Sequence, residues 1–264
     1  MPRLFIFGLG YTARFVAARF AAQGWEVVST GTQGTLSFED AGNVRVALAD
    51  ADHVLSSVPP GNEGRGEPLD AVLERYGDAL RGKALSYLSS TGVYGDARGA
   101  WVDESAPVGT GRRTARAEAD GAWLAAGARV YRLPGIYGQG RSIFDRLAEG
   151  RAHRIDLPEQ VFSRVHVEDI ASGVLAGLGA PPGAYNLADD LPVSQNRVVE
   201  EACRLTSTPL PPLQSLDEAG LSPMARGFYA ENRRVANGKA RACLGWRPRY
   251  PTYLEGLRAL CPRR

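Results

Sequence analysis

Apolar residues fall into short runs that glycine and proline turns interrupt, and the stretches between them carry apolar positions at helical spacing. Leu4 to Phe7 is apolar at every position, which suits a central parallel strand covered on both sides. After Gly8 and Gly10, residues Phe15, Val16 and Phe20 share a face with Arg14 and Arg19 toward its edge, so a helix starts near Tyr11. Further strand runs are Trp25 to Thr30, His53 to Val58, Ala84 onward, Ala128 to Leu133 and Tyr185 to Ala188. Helical patterns cover Leu69 to Leu80, Ala115 to Ala126, Ser142 to Ala148, a stretch ending at Leu178, Val198 to Leu205 and Tyr253 to Leu260. Another helix closes at Leu244-Gly245-Trp246, and Pro209 to Pro212 reads as a stiff spacer. Strands alternating with helices predict an α/β fold with a doubly wound parallel sheet. Between Thr30 and His53 there is too little chain for a helix, a strand and a second helix. Either Thr35 to Phe38 or Asn43 to Leu48 can then be the third strand, and the favoured expectation is a short edge strand at Thr35 to Phe38 with a helix over Val44 to Ala49.

The first strand-to-helix turn carries chemistry. Gly8, Gly10 and Ala13 form G-x-G-x-x-A between a strand and a helix, with a second strand following. The first glycine makes a tight turn, the second lets the main chain approach a pyrophosphate, and a small third residue lets helix and strand pack closely. Tyr11 and Thr12, at the helix N-terminus, present free N–H groups to the same anion. At the end of the second strand an acidic residue would hold the ribose 2′-hydroxyl of NAD; instead Ser29, Thr30, Thr32 and Gln33 stand there without negative charge. That leans toward NADP, although no arginine follows the strand to clamp the phosphate. Val58, Pro59 and Pro60 end the next strand, and such ends line the ligand crevice of an open parallel sheet. Asn62 to Pro68 is rich in glycine and charge and reads as a loop.

Composition narrows the classes. The 264 residues are 44% hydrophobic and 23% charged, and no apolar stretch reaches membrane-spanning length. A net charge of +2 does not argue for nucleic acid. Met1-Pro2-Arg3 and the few apolar residues after it are too short for a signal-peptide core, which points to the cytoplasm. Cys203, Cys243 and Cys261 are widely spaced and odd in number, as expected of reduced thiols. His166, Glu168 and Asp169 lie near one another, but no other histidine stands at ligand spacing, so no metal site is expected.

The stretch Leu88-Ser-Ser-Thr-Gly-Val-Tyr-Gly-Asp96, followed by Val102-Asp-Glu-Ser-Ala-Pro107, resembles the extended short-chain dehydrogenase/reductases of the NAD-dependent epimerase/dehydratase family. Arg132 to Gly138, Arg164 to Ala171 and Tyr185 to Ala188 agree in order, so the resemblance covers almost the whole chain. It implies a seven-stranded Rossmann sheet and a small C-terminal substrate lobe. On that basis residues 1–138 form the dinucleotide-binding core, and 139–264 complete the sheet at about 164–190 and build the lobe. It also implies that Ser90 hydrogen-bonds the substrate oxygen, that Thr91 matches the site of an acid in dehydratase members, and that Ser89, Leu133 and Pro134 line the nicotinamide end of the crevice. A homodimer is compatible with the family.

The family's acid/base pair, a tyrosine with a lysine four residues on, is missing. Only Lys83 and Lys239 are lysines, and neither follows a tyrosine at that spacing. Aligned forward from Pro107, Ala115 and Ala119 take the two sites; aligned back from Glu118, Thr110 and Thr114 do. Tyr94 with Arg98 and Tyr137 with Arg141 offer displaced tyrosine/cation pairs, although arginine does not exchange protons in the working pH range. Arg112, Arg113 and Arg116 are candidates to grip an anionic group of cofactor or substrate. The expected function is an NAD(P)-dependent oxidoreductase or epimerase-like enzyme on a small polar substrate; the alternative is a catalytically silent dinucleotide sensor or partner-binding module.

Overall fold

The computed structural model describes residues 1–61, 69–111 and 114–262, with backbone alone at Met224; the expected loop at Asn62 to Pro68 lies outside the described residues. The first third of the chain alternates as β1 (Arg3–Phe7), α1 (Tyr11–Ala21), β2 (Glu26–Ser29), α2 (Ala41–Ala49), β3 (His53–Ser56), α3 (Ala71–Tyr76) and β4 (Ala84–Ser90). Then follow β5 (Trp101–Val102), α4 (Thr114–Ala125), β6 (Arg129–Leu133), β7 (Gly135–Tyr137), α5 (Ile143–Ala148), β8 (Arg154–Ile155), β9 (Arg164–His166), α6 (Val167–Ala176) and β10 (Gly183–Asn186). The remainder is α7 (Gln195–Thr206), β11 (Leu213–Gln214), α8 (Pro223–Phe228), β12 (Arg234–Val235), α9 (Gly238–Leu244) and α10 (Tyr253–Leu260).

The central sheet runs β10-β6-β4-β3-β1-β2, and every pairing in it is parallel. Its β1 shows why an unbroken apolar run belongs here. Leu4 and Ile6 enter one layer with Val16 and Phe20 of α1, Ile170 and Val174 of α6, and Leu244 of α9. Phe5 and Phe7 enter the other with Leu48 of α2, Tyr76 of α3 and Trp123 of α4. Each fully buried side chain of this size stabilises the fold by roughly 1.5–3 kcal/mol relative to an exposed one. From β1 the chain crosses to β2 on one side and returns to β3 on the other. The ends of β1 and β3 therefore open a crevice, the usual ligand site of such sheets.

The sheet has six strands where the resemblance implied seven. Thr35 to Phe38 contributes a single parallel bridge, Thr30 with Leu36, and no strand. The reason is chain length: β2 ends at Ser29 and α2 begins at Ala41, and the stretch between them is too short for a parallel crossover followed by a strand. The helix expected over Leu69 to Leu80 is also shorter. Asp70 starts α3 by accepting from Val72 N (3.1 Å) and Leu73 N (3.0 Å), and the chain turns after Tyr76.

A separate apolar cluster builds the lobe, with Ile143 and Phe144 of α5, Val199 and Ala202 of α7 and Leu257 of α10 at its centre. Among the described residues no helix is long and apolar enough to cross a membrane.

One buried histidine ties the sheet to pH. His53 in β3 is 2% exposed, its Nε2 lies 2.9 Å from Ser86 Oγ, and burial pushes its pKa down to about 4. Between pH 6.5 and 4 the unfolded chain binds a proton there that the folded chain refuses. Stability contributed by neutral His53 is therefore lost as pH falls through that window, by up to about 1.4 kcal/mol per pH unit. Urea midpoints of a His53→Asn variant should fall less steeply than those of the wild type from pH 6.5 to 4; parallel slopes would refute the assignment.

Candidate active-site cleft

The glycine turn is pinned from two strands. Gly8 adopts φ +80°, open to glycine and strained for other residues. Its N–H donates to Thr30 Oγ1 (3.2 Å), Leu9 N donates to Thr30 O (2.8 Å), and the Ser57 hydroxyl donates to Gly8 O. Thr30, 1% exposed, thus holds the loop in place, while Thr32 is exposed beyond it. Val58 packs on the loop: a Cβ on Gly8 would lie 3.1 Å from Val58 Cγ2. Gly10 differs from Gly8. Its backbone is extended (φ −82°, ψ −170°), a Cβ built on it meets nothing within 4 Å, and it faces the cleft. No side chain caps the N-terminus of α1, so the first-turn N–H groups of Tyr11 and Thr12 stand open at the cleft wall. Ala13, fully buried, lets α1 sit close on the sheet. Open space beside a glycine, uncapped N–H groups and the positive end of a helix fit a pyrophosphate.

From this cradle a cleft of about 900 Å³ runs along the strand ends to the lobe. Gly10, Tyr11, Thr12, Ser57, Ser89, Ser90, Thr91, Leu133 and Pro134 line its sheet side, and Phe228, Tyr229 and Tyr253 its lobe side. Pro59 and Pro60 do not line it. Ser90 ends β4, where its Oγ accepts from Gly92 N (3.1 Å) and its own O–H remains to donate into the cleft. Thr91, 4% exposed, starts the following turn. The Ser89 hydroxyl points away, donating to Asp120 Oδ2 (2.6 Å).

Two expectations about tyrosine change. Tyr94 does not line the cleft. It is 3% exposed; its hydroxyl donates to Asn186 Oδ1 (2.8 Å) and accepts from Arg132 Nη1 (3.0 Å), and burial raises its pKa. Its proton is committed to Asn186 inside the protein. Its cation is Arg132, and Arg98 is not in this network. Tyr137 keeps its hydroxyl buried, its pKa raised by burial, and Arg141 lies over the Tyr11 ring instead (5.6 Å to the centroid).

Behind Ser89 and Tyr94 lies a polar network that sequence reading misses. Arg132 Nε and Nη2 donate to Asp120 Oδ2 (3.1 Å) and Oδ1 (2.7 Å), a bidentate pair with side chains 3% and 1% exposed. Asn186 carries it into β10, donating from Nδ2 to Ala236 O (3.1 Å) and from N to Glu104 Oε1 (2.6 Å). One turn before Asp120 on α4, Arg116 lines the cleft and donates to Tyr87 OH (3.1 Å). Among the described residues of α4 it is the one on the cleft wall; Thr114, Ala115 and Ala119 do not line it. Arg112 and Arg113 lie outside the described residues.

The His166 block is a corner. His166 caps α6, its Nδ1 accepting from Glu168 N (3.3 Å), and burial lowers its pKa to about 4. Asp169 accepts from Arg249 N (2.6 Å) and Tyr250 N (3.1 Å), tying α6 to the C-terminal segment. Arg164, in the lobe-facing wall, donates to Phe162 O (2.8 Å), Val193 O (2.9 Å) and Gln195 Oε1 (3.1 Å).

No protein-family model matches the chain. Among curated proteins, a 3-diazoavenalumate denitrifying reductase from a Streptomyces species is 30% identical over 115 residues, 40% of this chain and 37% of that protein. The match thus spans well under half the length of that relative. Among solved structures, the human epimerase family protein SDR39U1 with NADPH superposes with a TM-score of 0.80 at 16% identity, covering 98% of this chain and 99% of that one. The dTDP-glucose 4,6-dehydratase of Bacillus anthracis in complex with NAD superposes with a TM-score of 0.78 at 15% identity, covering 99% and 96%. A functionally unknown conserved protein from Silicibacter pomeroyi is 40% identical over 98% of both chains, with a TM-score of 0.83. The chain belongs to one family with that protein, and its fold is that of the extended short-chain dehydrogenase/reductases of the NAD-dependent epimerase/dehydratase type.

Proposed function

We propose that the chain is an NAD(P)-dependent oxidoreductase, or an epimerase-like enzyme, acting on a small polar substrate in the cytoplasm. The observation that carries this reading is continuity: the cradle at Gly10 and the hydroxyl of Ser90 open into one cleft. Relatives in fold are known with NADPH and with NAD, and the partial relative from Streptomyces is a reductase. Free Cys203, Cys243 and Cys261 suit a reducing compartment.

In this reading Gly8, Gly10 and the first turn of α1 hold the pyrophosphate, while Leu133 and Pro134 flank the nicotinamide end. The dinucleotide, when bound, supplies a hydride donor or acceptor. Ser90 donates a hydrogen bond to the substrate oxygen and orients it, and Thr91 stands beside it. Arg116 adds a fixed positive charge that favours negative charge developing on the substrate.

Turnover across carbonyl compounds, sugar nucleotides and diazo compounds, with both reduced cofactors, is the test. Replacing Ser90 by Ala should lower kcat by about 10²-fold while leaving the cofactor dissociation constant within about twofold. A silent dinucleotide sensor is the second reading, favoured by the absence of tyrosine and lysine from the described α4 wall. Calorimetric binding of a dinucleotide with no turnover on any of these substrates would select it.

A further inference from the structure

We infer that Arg14 binds the 2′-phosphate of an NADP-type dinucleotide, with Gln33 positioning it, and that this contact makes the chain select NADP(H) over NAD(H). The inference rests on the proposed dinucleotide site. No arginine follows β2 in the sequence, yet the fold brings one there from the first turn of α1, where Arg14 N donates to Gly10 O (3.0 Å). The Arg14 guanidinium reaches the loop after β2 and donates from Nη1 to Gln33 Oε1 (2.9 Å).

That loop is forced against the glycine turn. Gly31 has φ +120°, and a Cβ on it would lie 3.0 Å from Leu9 N; Thr30 holds Gly8 and Leu9 from the same segment. Gln33 is thereby carried across to α1. In folds of this type the residues at the end of the second strand meet the adenosine ribose. Arg14 is exposed and, among the described residues, makes no ion pair; its hydrogen-bond partner is a neutral amide. The nearest carboxylates that follow are engaged elsewhere: Glu39 pairs with Arg75, and Asp40 accepts from Asn43 N (3.2 Å) and Nδ2 (2.7 Å). A guanidinium with no carboxylate partner among the described residues and steered by an amide is built for a dianion. The same arrangement gives a ribose 2′-hydroxyl no carboxylate acceptor.

Calorimetric titration with 2′,5′-ADP and 5′-AMP, alongside NADPH and NADH, reads the contact without requiring turnover. The wild-type chain should bind 2′,5′-ADP and NADPH more tightly than 5′-AMP and NADH. Arg14→Ala should weaken the phosphorylated pair by about 10- to 100-fold, the worth of a charge-assisted contact, and leave the other pair within about twofold. Gln33→Glu should occupy Arg14 with a carboxylate and also select against 2′,5′-ADP. Equal wild-type affinity for 2′,5′-ADP and 5′-AMP, or equal losses for both on Arg14→Ala, would overturn the assignment while leaving the dinucleotide site standing. Failure of every dinucleotide and fragment to bind would overturn the proposed function with it.

Discussion

A Gly10→Val protein is expected to fold as the wild type does and to bind nicotinamide dinucleotides at least about 100-fold more weakly. The backbone at Gly10 is extended, a conformation open to any residue, and a Cβ there meets no protein atom within 4 Å. The fold therefore loses no more than about 1 kcal/mol, the scale of a helix-cap change. The added methyl groups occupy the space into which a pyrophosphate must come, and they shield the first-turn N–H groups that would receive it. Gly8→Val should behave differently. There φ is +80° and Val58 Cγ2 stands 3.1 Å from the new Cβ, so stability and binding fall together. Thermal unfolding and calorimetry on the two variants separate the roles; normal dinucleotide affinity in Gly10→Val would mean that no ligand approaches this glycine.

Replacing Asp120 by Ala is the substitution with the largest expected cost in stability. It removes both acceptors of the Arg132 guanidinium and the acceptor of Ser89 Oγ in a site closed to water. An uncompensated buried charge costs about 3–5 kcal/mol. The urea midpoint should drop accordingly with an unchanged slope. The double variant Asp120→Leu with Arg132→Met, which removes the charges together, should recover most of the loss. A midpoint within about 0.5 kcal/mol of wild type for Asp120→Ala would show that the pair carries no net stabilisation.

The parts of this molecule that announce themselves in sequence are those governed by local spacing. The apolar run at Leu4 to Phe7, the glycines that end it and the helix that Tyr11 begins depend on neighbours a few residues away, and each lies where the pattern places it. Leu36 failed as a strand because one bridge is all that the chain between β2 and α2 can reach. Tyr94 read as a cleft residue because its motif ends at a strand terminus. Its actual neighbours, Arg132 and Asn186, come from β6 and β10 and carry no local mark. Asp120 lies in an unbroken run of polar or small residues on α4, and only its approach to β4 and β6 distinguishes it. The meeting of Arg14 with Gln33 is of the same kind: a helix start and a loop joined across the end of a strand.

The position of β10 bears on how the molecule is assembled. This strand pairs with β6, and the helix just before it, α6, packs against α1 beneath the glycine turn. Between β6 and β10 the chain travels out through α5 and β8 into the lobe and back. During synthesis, therefore, the N-terminal strands wait with an open β6 edge and an uncovered α1 until residue 186 has emerged. Such long-range closure slows folding and leaves a strand edge ready to pair with another chain. That edge closes only when β10 pairs with β6, and the glycine turn gains its backing only when α6 docks on α1, so the two events that finish the sheet and its first turn both wait for the same late stretch of chain.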